Sequence, residues 1–185
     1  METPEPPLLG EPLAVEFANL RFAIRGREYD GLTAPADLAA WLGRVGERLP
    51  YPMHARDLAG VGPAHLAMAR DLRDAIRRLL SAAVSGASFD ASAAEVLNRV
   101  VREAPDWHEL SVHPVRGAFI RSGADPVRAA LSTVASDAVG LLGGSQAATL
   151  RACGAPGCVL YFRKDHPRRT CCSARCSNRV RAARH

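Results

Sequence analysis

Five cysteines, Cys153, Cys158, Cys171, Cys172 and Cys176, lie in one C-terminal stretch, and the chain has no others. Cys153 and Cys158 bracket Gly-Ala-Pro-Gly, a loop whose glycines and proline permit sharp turns. Twelve residues then lead to Cys171-Cys172, and three more to Cys176. Two short thiolate pairs suit a structural zinc site, because each pair closes a small loop and four sulfurs complete a tetrahedron. Four such ligands leave no position for a reactive water, so this chemistry is structural and not hydrolytic. The competing readings are a redox dithiol at Cys171-Cys172 and ordinary buried thiols. Five cysteines leave one spare, and His166 falls at a turn tip, away from a ligand position.

The elements around the cysteines read as a treble-clef-like finger. Val159–Phe162 predicts a strand, Asp165-His-Pro167 a turn, and Arg168–Thr170 a returning strand. A helix from Ser173 places Cys172 and Cys176 at its N-terminus, where the dipole favours thiolate. The same segment concentrates positive charge. Residues 151–185 hold nine Lys or Arg against the single acid Asp165, a net +8. The whole chain is +5, from 24 basic and 19 acidic residues, so residues 1–150 are −3. A basic end on an acidic body points to nucleic acid, bound through counterion release from phosphates. The candidate contacts are Arg168, Arg169, Arg175, Asn178, Arg179, Arg181 and Arg184. Arg179 and Asn178 carry the groups that read guanine and adenine edges. The alternative is that both brace the zinc loop, and bracing is the first reading for Asn178. One small finger offers little contact surface, so specific recognition calls for a homodimer or for help from the body.

The body is predicted as mainly α, α+β by a small margin, with one β-hairpin. Its residues are rich in Ala, Leu, Arg and Val, and aromatics are only 5% of the chain, which favours helix over sheet. Residues 1–12 read as a loosely held arm. Leu13–Phe22 reads as a short helix or a buried extended piece, and Gly26–Thr33 as a loop. Thr33 is a candidate N-cap for a helix over Pro35–Leu42, and Gly43–Pro63 is a connector with one short helical candidate. Pro63–Val84 is the strongest helical pattern, with Arg70, Arg73, Asp74, Arg77 and Arg78 on or beside the outer face. Asp90 or Ser92 caps a second helix to about Val101. Trp107–His113 and Gly117–Arg121 form the hairpin, and Asp125-Pro126 opens a helix through Leu142. Ser145 starts a short helix leading into Cys153.

No run of 18 apolar residues and no secretory signal are present, which predicts a cytoplasmic chain without membrane attachment. GxSxG, P-loop, GxGxxG and HExxH motifs are missing, and His54, His65, His108 and His113 have no sequence-near partner, so no enzyme is expected. Glu16, Asn19 and Asp30 are the candidates for a ligand pocket in the body, against the plainer reading that they cap helices and satisfy backbone.

The run from Cys158 through Cys172-Ser-Ala-Arg-Cys176-Ser-Asn-Arg179 resembles the CGNR zinc finger, which ends in a Trp-Cys-Ser…Cys-Gly-Asn-Arg signature and a basic helix. Residues 1–150 are similar to the ABATE domain found beside that finger in bacterial proteins, through Leu13-Ala-Val-Glu-Phe-Ala-Asn19, Asp30-Gly-Leu32 and Leu38-Ala-Ala-Trp41-Leu42. The chain departs from the pattern at Ser177 for Gly, at Cys171 for Trp, and at Glu16 and Leu20 for Asp and Thr. The resemblance implies two units, an ABATE-like helical body over 1–150 and a CGNR-type finger over 151–185. It places structural Zn2+ on Cys153, Cys158, Cys172 and Cys176, with Cys171 at the tryptophan position. It further implies a DNA-binding transcription regulator whose body senses a small molecule or a protein. The alternatives are a protein–protein adaptor and a small-molecule or redox sensor with a purely structural finger.

Overall fold

The computed structural model describes residues 4–183. Its centre is α1 (Leu13–Ala18), a six-residue helix with every side chain buried, packed against two long helices. Five of its six residues are apolar, and the sixth, Glu16, is buried with them, so the helix belongs inside the domain. The long helices are α4 (Pro63–Ser85) and α6 (Pro126–Gly143), with α5 (Ala91–Glu103) packed against both. Each starts where its sequence predicts. Pro63 and Pro126 sit in first turns, and the Asp90 and Asp125 carboxylates accept backbone N–H groups of the turns they cap. α4 inserts Leu66, Ala69, Leu72, Ile76 and Leu80, and α6 inserts Val127, Leu131, Val134 and Ala138, into one core. α2 (Pro35–Val45) closes it with Leu38, Leu42 and Trp41, whose ring lies 4.9 Å from Phe17. A short α3 (Ala55–Ala59) and a 3-10 turn at Gly46–Arg48 occupy the connector.

Among the described residues, three two-stranded antiparallel pairs accompany the helices. One was expected: β3 (Asp106–Ser111) pairs with β4 (Gly117–Ser122). The second, β1 (Arg21–Ile24) with β2 (Arg27–Asp30), replaces the loop read over Gly26–Thr33. Its turn is Arg25-Gly26 at φ 52 and 81, so both residues are left-handed, as a tight two-residue hairpin turn requires. Arginine there, in place of asparagine or aspartate, hides the signal. The third pairs β5 (Leu150–Ala152) with β6 (Tyr161–Arg163). The strand over Val159–Phe162 is therefore present in shortened form, but its partner precedes the first cysteine. Arg168–Thr170 forms no strand, and the helix expected from Ser145 is a 3-10 turn, Ser145–Thr149, running into β5. α7 (Ala174–Ala182) ends the described chain.

Arg73 corrects the helical-wheel reading of α4. It is 1% exposed, not outward, and pairs with Asp30 of β2 and with Asp74 at 2.9 Å. Asp30 also accepts the Leu32 N–H at 2.9 Å. Neutralising Asp30 leaves the buried guanidinium with Asp74 as its one remaining carboxylate. Asp30→Asn is expected to lower unfolding stability by about 2 kcal/mol with an unchanged denaturant slope, measured by urea titration.

Candidate metal centre and its seam with the helical body

The four sulfurs of Cys153, Cys158, Cys172 and Cys176 all lie within 4.8 Å of one another. Cys158 to Cys172 is 3.9 Å, Cys172 to Cys176 is 3.5 Å, and Cys176 to Cys158 is 3.8 Å. Tetrahedral thiolates bonded at about 2.3 Å would stand about 3.8 Å apart, so this donor set fits a metal ion. Cys171 is buried in the same apolar cluster, with its sulfur outside the group of four. His166 is exposed, and its Nδ1 accepts the Arg168 N–H at 3.1 Å, away from the sulfurs.

Local backbone explains the convergence. The Cys153 N–H donates to Leu160 O at 2.9 Å, and the Cys158 N–H to Ala155 O at 3.0 Å, which fold the knuckle back on itself. Gly157 turns it at φ 66 and sits so close to the β1–β2 turn that a Cβ would lie 3.0 Å from Gly26 Cα. Ser173 caps α7 by accepting the Cys176 N–H at 3.3 Å, which places Cys176 in the first turn. The Cys172 N–H points at Cys153 Sγ at 3.5 Å, and Arg179 Nη2 donates to Cys176 Sγ at 3.1 Å. Taken as thiols, Cys158 and Cys172 are driven in opposite directions. Hydrogen bonds from Cys153 and then Cys172 hold Cys158, the half-exposed member, down to about 4, and bonds to Cys153 and Cys158 push Cys172 up. A bound cation removes that conflict, because it lets every sulfur ionise.

This cluster has a core of its own that the finger does not complete alone. Cys153, Ala155, Leu160, Phe162, Cys171, Cys172 and Cys176 pack with Phe22 of β1, with Leu9, Ile24 and Tyr29 at the margin. Polar residues seal the joint. Asn19, 0% exposed, donates to Tyr161 O at 2.9 Å and accepts the Tyr161 N–H at 2.8 Å, so its amide imitates a strand partner for β6. Glu11, 2% exposed, accepts the Arg163 N–H at 2.9 Å and pairs with Arg169. Arg77 of α4 donates to Ala18 O at 3.0 Å and Val159 O at 3.3 Å, and lies 5.2 Å from the Tyr161 ring.

The expected residues thus have distinct places. Arg168, Arg175, Asn178 and Arg181 are exposed, with Arg181 donating to Asn178 Oδ1 at 2.7 Å. Asn178 therefore does not brace the sulfur loop; Arg179, three residues from Cys176, does. Arg169 is turned inward, over the Phe162 ring at 5.0 Å and against the Cys172 carbonyl at 3.1 Å. Arg184 lies outside the described residues. Asn19 and Asp30 are spent in the contacts above, and Glu16, 1% exposed, accepts the Leu9 and Glu11 N–H groups at 2.8 Å each. These three brace the fold; the cleft of about 360 Å³ beside the sulfurs is lined by Leu9, Phe22, Ile24, Leu160 and Arg179 and by none of them. Glu11, Arg73 and Arg77 were missed. The arm over residues 1–12, read as loosely held, is fastened at Leu9 and Glu11. No helix among the described residues is long and apolar enough to cross a membrane.

A family model, ABATE, described as "putative stress-induced transcription regulator", matches residues 11–145. The match covers the helical body and ends before Cys153; the four-cysteine cluster beyond it fits a CGNR-type finger. No curated protein matches the chain.

Glu16 supplies a pH signature for the seam. Burial raises its carboxyl above the ordinary value of 4.5, outweighing the Glu11 and Leu9 N–H donors and Arg48, which lower it. The folded chain then keeps this proton longer than the unfolded chain. Its stabilising contribution is complete below 4.5 and is lost as pH rises through the folded value. Glu16→Gln retains an acceptor oxygen without a charge. It is expected to flatten the loss of stability above pH 4.5, read as melting temperature against pH.

Proposed function

The chain belongs to the ABATE family, and on that premise we propose a cytoplasmic, zinc-dependent regulator of transcription that grips DNA through its C-terminal finger. The observation that carries the reading is the four-sulfur tetrahedron beside a free arginine surface, Arg168, Arg175 and Arg181. Cys153, Cys158, Cys172 and Cys176 would hold Zn2+, whose binding supplies on the order of 10 kcal/mol of folding free energy in such sites. With four thiolates the shell is filled, so we read the centre as non-catalytic. Arg179 neutralises sulfur charge and Arg169 fastens the finger, so neither is free for phosphate. The exposed arginines contact the DNA backbone, and α7 sets the spacing of Arg175 and Arg181. Each phosphate they neutralise adds about 0.9 to the slope of log affinity against log salt. The helical body acts as the sensing or interaction domain. An adaptor whose exposed arginines dock an acidic protein is the second reading, because the same positive surface suits either polyanion.

Two measurements test this. Freshly purified reduced protein is expected to carry one zinc per chain by elemental analysis. Chelation is expected to lower the melting temperature of the body's helices as well as the finger's, because Phe22, Asn19 and Glu11 belong to both sides of the joint. Absence of zinc overturns the metal assignment. In the second, fluorescence anisotropy follows binding to a random duplex across a salt series. Arg175→Ala with Arg181→Ala is expected to reduce the salt slope by about 2 with zinc retained, whereas Arg179→Ala is expected to weaken zinc retention. No binding at low salt defeats the DNA reading and favours the adaptor.

A further inference from the structure

Among the described residues, seven large apolar side chains stand exposed, and five of them lie on one hairpin: Trp107, Leu110, Val112, Val115 and Phe119. The concentration is unusual, because exposed apolar side chains on a monomer are ordinarily scattered. Register divides the hairpin into two faces. Trp107, Glu109 and Ser111 stand opposite Arg121, Phe119 and Gly117, while His108 and Leu110 stand opposite Ile120 and Ala118. Each face therefore carries a large exposed apolar residue, and the turn adds Val112 at 58% and Val115 at 66% exposure. Five of the six β3 residues are exposed. A lone two-stranded hairpin is marginal in water unless something covers it.

Of the two remaining exposed apolar residues, Val139 lines a cleft of about 250 Å³ between α5 and α6, together with Asn98, Val101, Arg102 and Ser136. These are the helices that the hairpin connects. One chain thus carries both an apolar projection and an apolar cleft. We propose that the β3–β4 hairpin is a dimerisation arm, seated in the α5/α6 cleft of a second copy while receiving that copy's hairpin in return. Reciprocity makes a closed two-fold contact from one kind of surface. The five side chains expose on the order of 500 Å² per hairpin, so seating one face and the turn of each arm, counted twice with the surfaces receiving them, approaches the roughly 1,200 Å² of a stable interface. The inference stands independently of DNA binding, although a dimer would present two fingers, which one small finger needs for specificity.

Sedimentation equilibrium of the zinc-loaded full chain, over a wide concentration range, tests the proposal. Wild type is expected to be a dimer. Leu110→Asp and Val115→Asp are expected to weaken it by about tenfold or more, and Val139→Asp to weaken it likewise from the cleft side. All three positions are exposed, so circular dichroism and melting of the variant monomers are expected to match wild type. A wild-type chain that stays monomeric throughout overturns the proposal and leaves the hairpin to a different protein. So does a dimer that Leu110→Asp and Val115→Asp leave intact, or one insensitive to Val139→Asp.

Discussion

A finger of this size cannot enclose its own core. Domains below about 40 residues ordinarily need a metal, disulfides or a partner to remain folded, and residues 151–183 have a handful of apolar side chains beyond the cysteines. Everything at the C-terminal end follows from that shortage. The sulfurs take the place of a hydrophobic centre, and Phe22, Leu9, Ile24 and Tyr29 of the N-terminal region complete it. Borrowed burial brings polar backbone with it. The edge of β6 finds its partner in the Asn19 amide, and the Arg163 N–H in the Glu11 carboxylate. Such groups are costly when buried alone and acceptable when fully satisfied. The joint is therefore specific as well as apolar.

The same constraint sorts the arginines. The basic segment looks uniform in composition, yet its side chains divide by what lies beneath them. Arg169 meets the buried Glu11, and Arg179 meets Cys176 Sγ at 3.1 Å. Arg168, Arg175 and Arg181 meet solvent. For Arg179, burial lowers its proton affinity, and the hydrogen bond to Cys176 with the charge of the neighbouring sulfurs more than reverses that. Its Nε remains buried without a partner, a cost acceptable where the guanidinium offsets thiolate charge. Charge counting alone overstates the surface offered to a polyanion.

Much of the fold was legible. The long helices carry both a 3–4 periodicity and caps at Asp90 and Asp125, two independent signals that agree. The cysteine spacing pointed to a four-sulfur site, and the resemblance to the CGNR signature chose Cys172 over Cys171 for it. Long-range polar partners were not legible. A charged residue in a helical pattern defaults to the outer face, and nothing local says that Arg73 will meet Asp30, 43 positions earlier. The pairing of β5 with β6 across the knuckle was hidden because three-residue strands carry almost no alternation. Of the two residues offered as braces of the sulfur loop, helix spacing selects Arg179. On a helix, positions three apart share a face and positions two apart do not, so Arg179 falls beside Cys176 and Asn178 away from it.

α4 connects these parts mechanically. Its inner stripe fills the core shared with α1, α5 and α6, while two of its arginines reach past that core. Arg73 holds β2 through Asp30, and Arg77 holds Val159 and the Tyr161 ring on the finger. Burial lowers the proton affinity of Arg77, so its carbonyl contacts form in a poorly hydrated gap, where a displacement of about 1 Å forfeits a hydrogen bond. The β1–β2 turn meets the knuckle backbone to backbone at Gly26 and Gly157, with no flexible side chain to absorb movement. A signal that shifts α4 or the β1–β2 hairpin therefore meets the finger directly, at Val159, Tyr161 and Gly157. A signal confined to the β3–β4 hairpin has none of these contacts, and would reach the finger only through α5 and α6.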